Sequence, residues 1–182
     1  MKRVFDLILA ASLFLLLLIP LLLATILVIT TSKGSALYYS DRIGKNNSIF
    51  KMPKFRSMLT GTPAVATHLL DNPGAYLSPI GGFLRSTSLD ELPQLFSVLK
   101  GDMSFVGPRP ALFNQSDLIA LRAEKGVDKL LPGITGWAQV NGRDDLSIPD
   151  KVALDAEYLN RQSFWFDMKI LWMTFLKVMK RD

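Results

Sequence analysis

Residues 7–29 read LILAASLFLLLLIPLLLATILVI, an uncharged run of 23 residues whose only interruptions are Ser12, Pro20 and Thr25. As one straight helix it would reach about 35 Å at 1.5 Å per residue, roughly the hydrocarbon thickness of a bilayer. A cleavable signal peptide fits it poorly, because such an apolar region spans about 7–15 residues and ends at a small-residue cleavage site. No such site precedes Lys33. The run therefore predicts a membrane segment over residues 1–32, followed by one domain over 33–182.

The flanks constrain how that segment sits. Lys2 and Arg3 precede it, while Lys33, Arg42, Lys45, Lys51, Lys54 and Arg56 follow, with Asp41 the only acid between residues 31 and 60. Basic flanks prefer the cytoplasm, so both ends prefer the same side. Pro20 lacks the amide a helix interior needs, and its ring presses on the carbonyl of Leu16. A hairpin that enters, turns at Pro20 and leaves on the same face satisfies both observations, and its first arm covers about 20 Å, one leaflet. A kinked single span is the alternative. Either way the following domain is expected in the cytosol.

The whole chain has 182 residues, 21 basic and 16 acidic, with no cysteine and a net charge of +5. A disulfide-stapled scaffold and a thiolate metal site are excluded. Nucleic acid is not expected as a partner, because the positive charge lies beside the apolar run, where anionic headgroups account for it. The remaining 150 residues predict an α+β domain: a short β-hairpin turning near Gly44–Asn47, then a compact, mainly helical body. Leu92, Leu95, Phe96 and Leu99 follow helical spacing, with Gly101 placed to end that helix. Met103–Val106 reads as extended, and Gly107-Pro108-Arg109-Pro110 as a rigid turn. Helices are expected from Ser116 to about Lys125 and from Pro149. In the last helix, Ser163–Met179, one narrow polar stripe carries Asp167, Thr174, Lys177 and Arg181. Burial in the core and residence in the membrane interface both fit it, and its aromatic and basic residues favour the interface.

Chemistry concentrates at Asp90-Glu91, at the mouth of the Leu92–Leu99 helix. Ser88 with Glu91 is also a capping box, a purely structural use. Yet Pro93 withholds the amide that would pair with the carbonyl of Leu89, which makes the backbone there irregular. Adjacent carboxylates can divide labour, one holding a hard cation or attacking phosphorus, the other handling a proton. A phosphate substrate then needs cations, and Lys54, Arg56, Arg85, Arg109 and Arg143 are the candidates. Arg109 leads them because a proline on either side fixes its backbone. Asp144-Asp145 ranks lower as a metal pair. Residues 132–143 mix glycines, amides and an aromatic, and Asp155 and Tyr158 share a helix side at i, i+3, where both can face the same cleft. His68, the only histidine, is given no catalytic role.

These strings, Phe50–Met58, Ser88–Leu95, Lys100–Pro110 and Leu131–Arg143, together resemble the bacterial sugar transferases, the monotopic phosphoglycosyl transferases, over nearly the whole chain. The length is similar to that of members consisting of the catalytic core alone. The resemblance implies transfer of a sugar 1-phosphate from a UDP-sugar to undecaprenyl phosphate, releasing UMP and starting glycoconjugate assembly. It implies that Asp90 attacks phosphorus to give an aspartyl-phosphosugar, that Mg²⁺ sits at Asp90, and that Glu91 assists. Arg85, Arg109 and Lys54 would hold phosphate oxygens, Gln139, Asn141 and Arg143 the nucleotide side, and Asp155 is a further functional acid. It also implies a re-entrant helix-break-helix, residence on the cytoplasmic face of the inner membrane among its lipids, and downstream glycosyltransferases as partners; a homodimer is one open assembly, since the oligomeric state is not legible in the sequence. Pro53, Gly82 and Ser86 depart from the usual pattern. A noncatalytic membrane anchor that binds a nucleotide-sugar, or a direct displacement without a covalent step, are the competing readings.

Overall fold

The computed structural model describes residues 1–63, 65, 70–142 and 145–180. The apolar run forms two helices, α1 (Lys2–Leu16) and α2 (Leu18–Thr31), bent by 63°. Among the described residues no single helix is long and apolar enough to cross a membrane, whereas the bent pair together meets that length and composition. The break falls at Leu17 rather than at Pro20. Pro20 occupies the first turn of α2, where an amide has no intrahelical partner and its absence costs nothing. Its ring excludes only the carbonyl four residues back, so the chain bends just before it.

The amino end of α1 is fastened to the rest of the chain by polar side chains. Arg3 donates to the carbonyls of Val98 (2.6 Å) and Leu99 (2.9 Å). These lie at the end of α4 (Gln94–Lys100), where the helix dipole favours a cation. Asp6, 2% exposed, accepts the amide of Phe105 at 3.2 Å. Lys2 pairs with Asp167 at 2.6 Å. A carboxylate one turn into an apolar helix is thus buried against protein.

The expected hairpin is present as β1 (Leu37–Ile43) and β2 (Ile49–Phe55), antiparallel, with Tyr38 opposite Lys54. Its turn uses Asn46 and Asn47 at φ of 54° and 56°, a left-handed conformation that asparagine tolerates better than most residues. Helices α3 (Gly81–Ser86) and α4 flank the acidic pair, and Gly101 ends α4 at φ 103°. The extended stretch is β3 (Ser104–Val106), which pairs in parallel with β4 (Gly133–Thr135). Helices α5 (Ser116–Glu124), α6 (Trp137–Val140), α7 (Ile148–Arg161) and α8 (Phe164–Met179) complete the body. Ser147 caps α7 by accepting the amide of Asp150, with Pro149 in the first turn as its fixed φ allows.

The amino-terminal part of the polar stripe of α8 points inward, while Lys177 further along is exposed. Asp167 is 3% exposed and receives Lys2 and the Tyr158 hydroxyl (2.6 Å), while Thr174 shares a hydrogen bond with Thr135 at 2.7 Å. Trp165, Trp172 and Phe175 face out, 79%, 61% and 53% exposed. This is neither a wholly buried core helix nor an ordinary surface helix. Arg181 lies outside the described residues. The main core gathers Phe50, Met52, Leu95, Val98, Met103 and Phe105 with Tyr158, Phe166 and Ile170.

Candidate active site

Between α3 and α4 the chain makes a tight turn over Leu89–Glu91, held by bonds from the Glu91 amide to the Ser88 carbonyl and from Leu92 to Leu89. Ser88 sits at φ 57° and its side chain makes no cap bond, so the expected capping box does not form. The acids are thereby released from helix capping. Asp90 is buried, 8% exposed, and its carboxyl is pushed above the ordinary range by burial, with Glu91 adding to the rise and Lys54 and Arg85 opposing it. Glu91 is engaged: one oxygen takes Lys54 at 2.8 Å and Arg109 at 3.5 Å. Burial lowers the pKa of Lys54, partly offset by Glu91.

These groups line a cavity of about 640 Å³ that also receives Arg42, Arg85, Arg122, Gln139 and Lys151. Among the described residues six cations face two carboxylates there, a balance suited to an anionic ligand. Gln139 brings a buried side-chain amide whose nitrogen and oxygen have no hydrogen-bond partner.

Arg109 is held by its backbone. The two prolines leave Pro108–Pro110 poor in donors, and each carbonyl from 108 to 111 is taken by a donor from elsewhere. Gly133 donates to Pro108 (2.9 Å), Arg122 to Arg109 (2.8 Å), Arg42 to Pro110 (3.1 Å) and Ile43 to Ala111 (2.9 Å). Arg122 is itself fixed by Asp155, at 2.6 and 3.0 Å to one oxygen. Burial raises the pKa of Asp155, with Arg122 pulling the other way.

Of the residues expected in the site, the structure brings together Lys54, Arg85, Asp90, Glu91, Arg109 and Gln139. Arg56 lies to one side, donating to the Lys33 carbonyl at 2.8 Å and lining a neighbouring cavity. Asn141 donates to the Trp137 carbonyl at the end of α6, away from the cavity wall. Asp155 and Tyr158 share a side of α7 as expected, but that side faces protein rather than a cleft. Asp155 reaches the cavity only through Arg122, and the Tyr158 hydroxyl is spent on Asp167. Arg143, Asp144 and His68 lie outside the described residues.

Arg42, Arg122 and Lys151 were not singled out for the site. Arg42 had a legible signal, since Tyr38, Ser40 and Arg42 alternate along β1 on the side that bears Lys54 across the hairpin. Burial and the nearby charge of Arg109 bring its pKa down to about 10. Arg122 had none, because its partner Asp155 is 33 residues away.

Among the described residues no three acids or histidines cluster as a metal cage. Asp90 as a single carboxylate on the wall of a cationic cavity nonetheless fits Mg²⁺, which keeps waters and is bound through one or two carboxylates plus substrate phosphates.

The profile described as "Bacterial sugar transferase" matches residues 1–181. The chain is 41% identical over 183 residues to a Bacillus subtilis protein named uncharacterized sugar transferase EpsL, covering 98% of this chain and 87% of that one. It is 40% identical over 186 residues to the UDP-glucose:undecaprenyl-phosphate glucose-1-phosphate transferase of Escherichia coli, covering 97% and 40%. It is 36% identical over 200 residues to the undecaprenyl-phosphate galactose phosphotransferase of Salmonella typhimurium, covering 100% and 41%. The chain thus spans about two fifths of the length of the latter two relatives. With the full-length profile match and these identities, the chain belongs to the bacterial sugar transferase family.

Proposed function

We propose that this chain is a phosphoglycosyl transferase that moves a sugar 1-phosphate from a UDP-sugar to undecaprenyl phosphate through a covalent intermediate on Asp90. The observation that carries this reading is a buried carboxylate, uncommitted to helix capping, on the wall of a cavity dominated by cations. The names of the relatives supply the substrate classes.

In the first half-reaction Asp90 forms an Oδ–P bond to the sugar-linked phosphorus. The bond from that phosphorus to the bridging oxygen breaks, and its electron pair leaves on UMP. In the second, an oxygen of the lipid phosphate forms the new P–O bond and the Asp90 bond breaks. Arg85, Arg109 and Lys54 hold equatorial oxygens, and Glu91 positions Lys54 and Arg109 around them. Mg²⁺, when bound at Asp90, would neutralise diphosphate charge. Removing divalent cations with EDTA is expected to stop UMP release, and added Mg²⁺ to restore it.

The bent α1–α2 pair supports a re-entrant insertion into the cytoplasmic membrane, with both ends and the active site on the cytosolic face. The exposed aromatics of α8 suit headgroup depth. Cysteines engineered at both ends of the pair should label from the same side, and opposite-sided labelling rejects this topology.

The deciding experiment is incubation with UDP-sugars and Mg²⁺ but no lipid acceptor. UMP release and the mass of a phosphosugar on Asp90 are expected. Neither appearing while product still forms with acceptor present would overturn the covalent route.

A further inference from the structure

The 640 Å³ cavity is not the whole of the space around Asp90. A second cavity of about 250 Å³ adjoins it, and the two share Arg42, Lys54, Arg85 and Asp90 as a common wall. Their remaining linings differ in kind. Only the larger has Glu91, Arg109, Arg122 and Lys151. The smaller adds hydroxyls, from Tyr38, Ser40, Ser57 and Thr60, over apolar Phe55 and Met58. Its one further charged group, Arg56, already donates to the Lys33 carbonyl at 2.8 Å and approaches the Thr60 hydroxyl at 3.4 Å.

We propose that the smaller cavity is the sugar subsite, and that its hydroxyl-bearing residues Tyr38, Ser57 and Thr60 set which sugar is transferred. The inference rests on the covalent reading above and deepens it. A nucleotide-sugar is anionic at one end and neutral, rich in hydroxyls, at the other. The phosphorus to be transferred joins the two ends and must lie at Asp90, on the shared wall.

In-line displacement then assigns the cavities. UMP leaves from the side of phosphorus opposite the attacking Asp90 oxygen. The lipid phosphate has to enter on that same side to displace Asp90 in turn. One anionic group departs and another arrives, so both belong to the cationic cavity. The bond between sugar oxygen and phosphorus is neither made nor broken in either step. The sugar stays where it is while nucleotide is exchanged for lipid, which requires a separate compartment, and beyond the shared wall the smaller cavity adds mainly hydroxyls, its added cation Arg56 being already bonded to the Lys33 carbonyl. A volume of 250 Å³ holds a single sugar ring but no nucleotide beside it. Hydroxyl donors and acceptors beside an aromatic ring are the means by which a site fixes the orientation of such a neutral ligand.

The test compares Tyr38→Phe, Ser57→Ala and Thr60→Val with the wild type on UDP-glucose, UDP-galactose and their N-acetylamino counterparts. UMP release is followed, and transfer to undecaprenyl phosphate is then measured with added UMP as a product inhibitor. Tyr38 is 46% exposed, Thr60 is exposed and Ser57 is half-buried, and none of the three belongs to the hydrophobic core. At least one variant is expected to change the ratio of kcat/KM between two donors by about tenfold, the worth of one hydrogen bond, while UMP inhibition stays within about twofold. Lys151→Met, in the larger cavity, is expected to do the reverse, weakening UMP inhibition and leaving the donor ratios in place. Unchanged donor ratios in all three hydroxyl variants, or a parallel change in UMP inhibition, would overturn the assignment. If the wild type released no UMP from any donor, it is the functional reading beneath that would fall.

Discussion

The two turns that face each other across the cavity are built by opposite means. The acidic turn, Leu89–Glu91, is held by its own short-range bonds, Glu91 to Ser88 and Leu92 to Leu89, with Pro93 preventing an early start of α4. The cationic turn, Pro108–Pro110, holds little of itself: its carbonyls are taken by Gly133, Arg122 and Arg42, contributed by β4, α5 and β1. The geometry of the acidic pair is therefore encoded locally, and that of its cationic counterpart by the tertiary fold. A local substitution should affect the first, and a remote one the second.

The largest effect is expected from Asp90→Asn, which keeps the local scaffold and removes the carboxylate proposed to attack phosphorus. Turnover should fall by about 10⁴-fold or more, the scale seen when a nucleophile is deleted, with the melting temperature held, because the relieved desolvation of a buried carboxylate offsets the lost attraction to Lys54 and Arg85. Near-normal turnover in this variant would show that the acidic turn is not the working one.

On the cationic side, Arg122→Met leaves Asp155 charged and buried without its partner, at a cost of about 3–5 kcal/mol. The double variant Arg122→Met, Asp155→Leu should regain most of that stability, since replacing both members of a buried pair is often neutral. It should not regain kcat/KM, because the carbonyl of Arg109 still lacks its holder. Denaturant unfolding and UMP-release kinetics on both variants separate the two. Recovery of activity along with stability would mean that the pair serves folding alone.

What the sequence disclosed follows the same division. The hairpin, α4 with its Gly101 stop, the start of α7 and the acidic pair all rest on signals within a few residues of one another, and all are where those signals place them. The bend at Leu17 was displaced by three residues from Pro20, since a proline breaks the helix before it rather than at itself. The parallel pairing of β3 with β4, the Arg122–Asp155 pair and the inward part of the polar stripe of α8 join residues far apart in the chain. No periodicity within one segment contains them. Asp155 and Tyr158 share a helix side as their spacing requires, but spacing cannot say whether that side meets a cleft or the protein interior.

A pH measurement sharpens the link between the turns. The protonated Lys54 amine is the form that pairs with Glu91 and faces phosphate. Burial lowers its pKa, so this form is lost as pH rises through a value below the ordinary lysine figure of about 10.4. The kcat/KM profile should show that basic limb. Lys54→Arg should move it to higher pH, because a guanidinium holds its proton more tightly than an amine. In Glu91→Gln the limb should move further down, since Glu91 is what partly holds the amine protonated. A limb that ignores both substitutions belongs to another group.

The smallest effect expected is at Ser88. Were its side chain a helix cap, Ser88→Ala would cost about 1 kcal/mol. It makes no cap bond and sits at φ 57°, where alanine and serine carry a similar Cβ penalty, so Ser88→Ala should change stability by less than about 0.5 kcal/mol. Ser88→Gly removes that penalty and should stabilise by about 0.4–1 kcal/mol, less the backbone entropy that glycine adds to the unfolded chain. Measured by denaturant unfolding, a gain for glycine with no loss for alanine would establish that backbone conformation, not a side-chain cap, shapes the turn that presents Asp90. A loss of about 1 kcal/mol in both would restore the capping box and return Glu91 to a structural role.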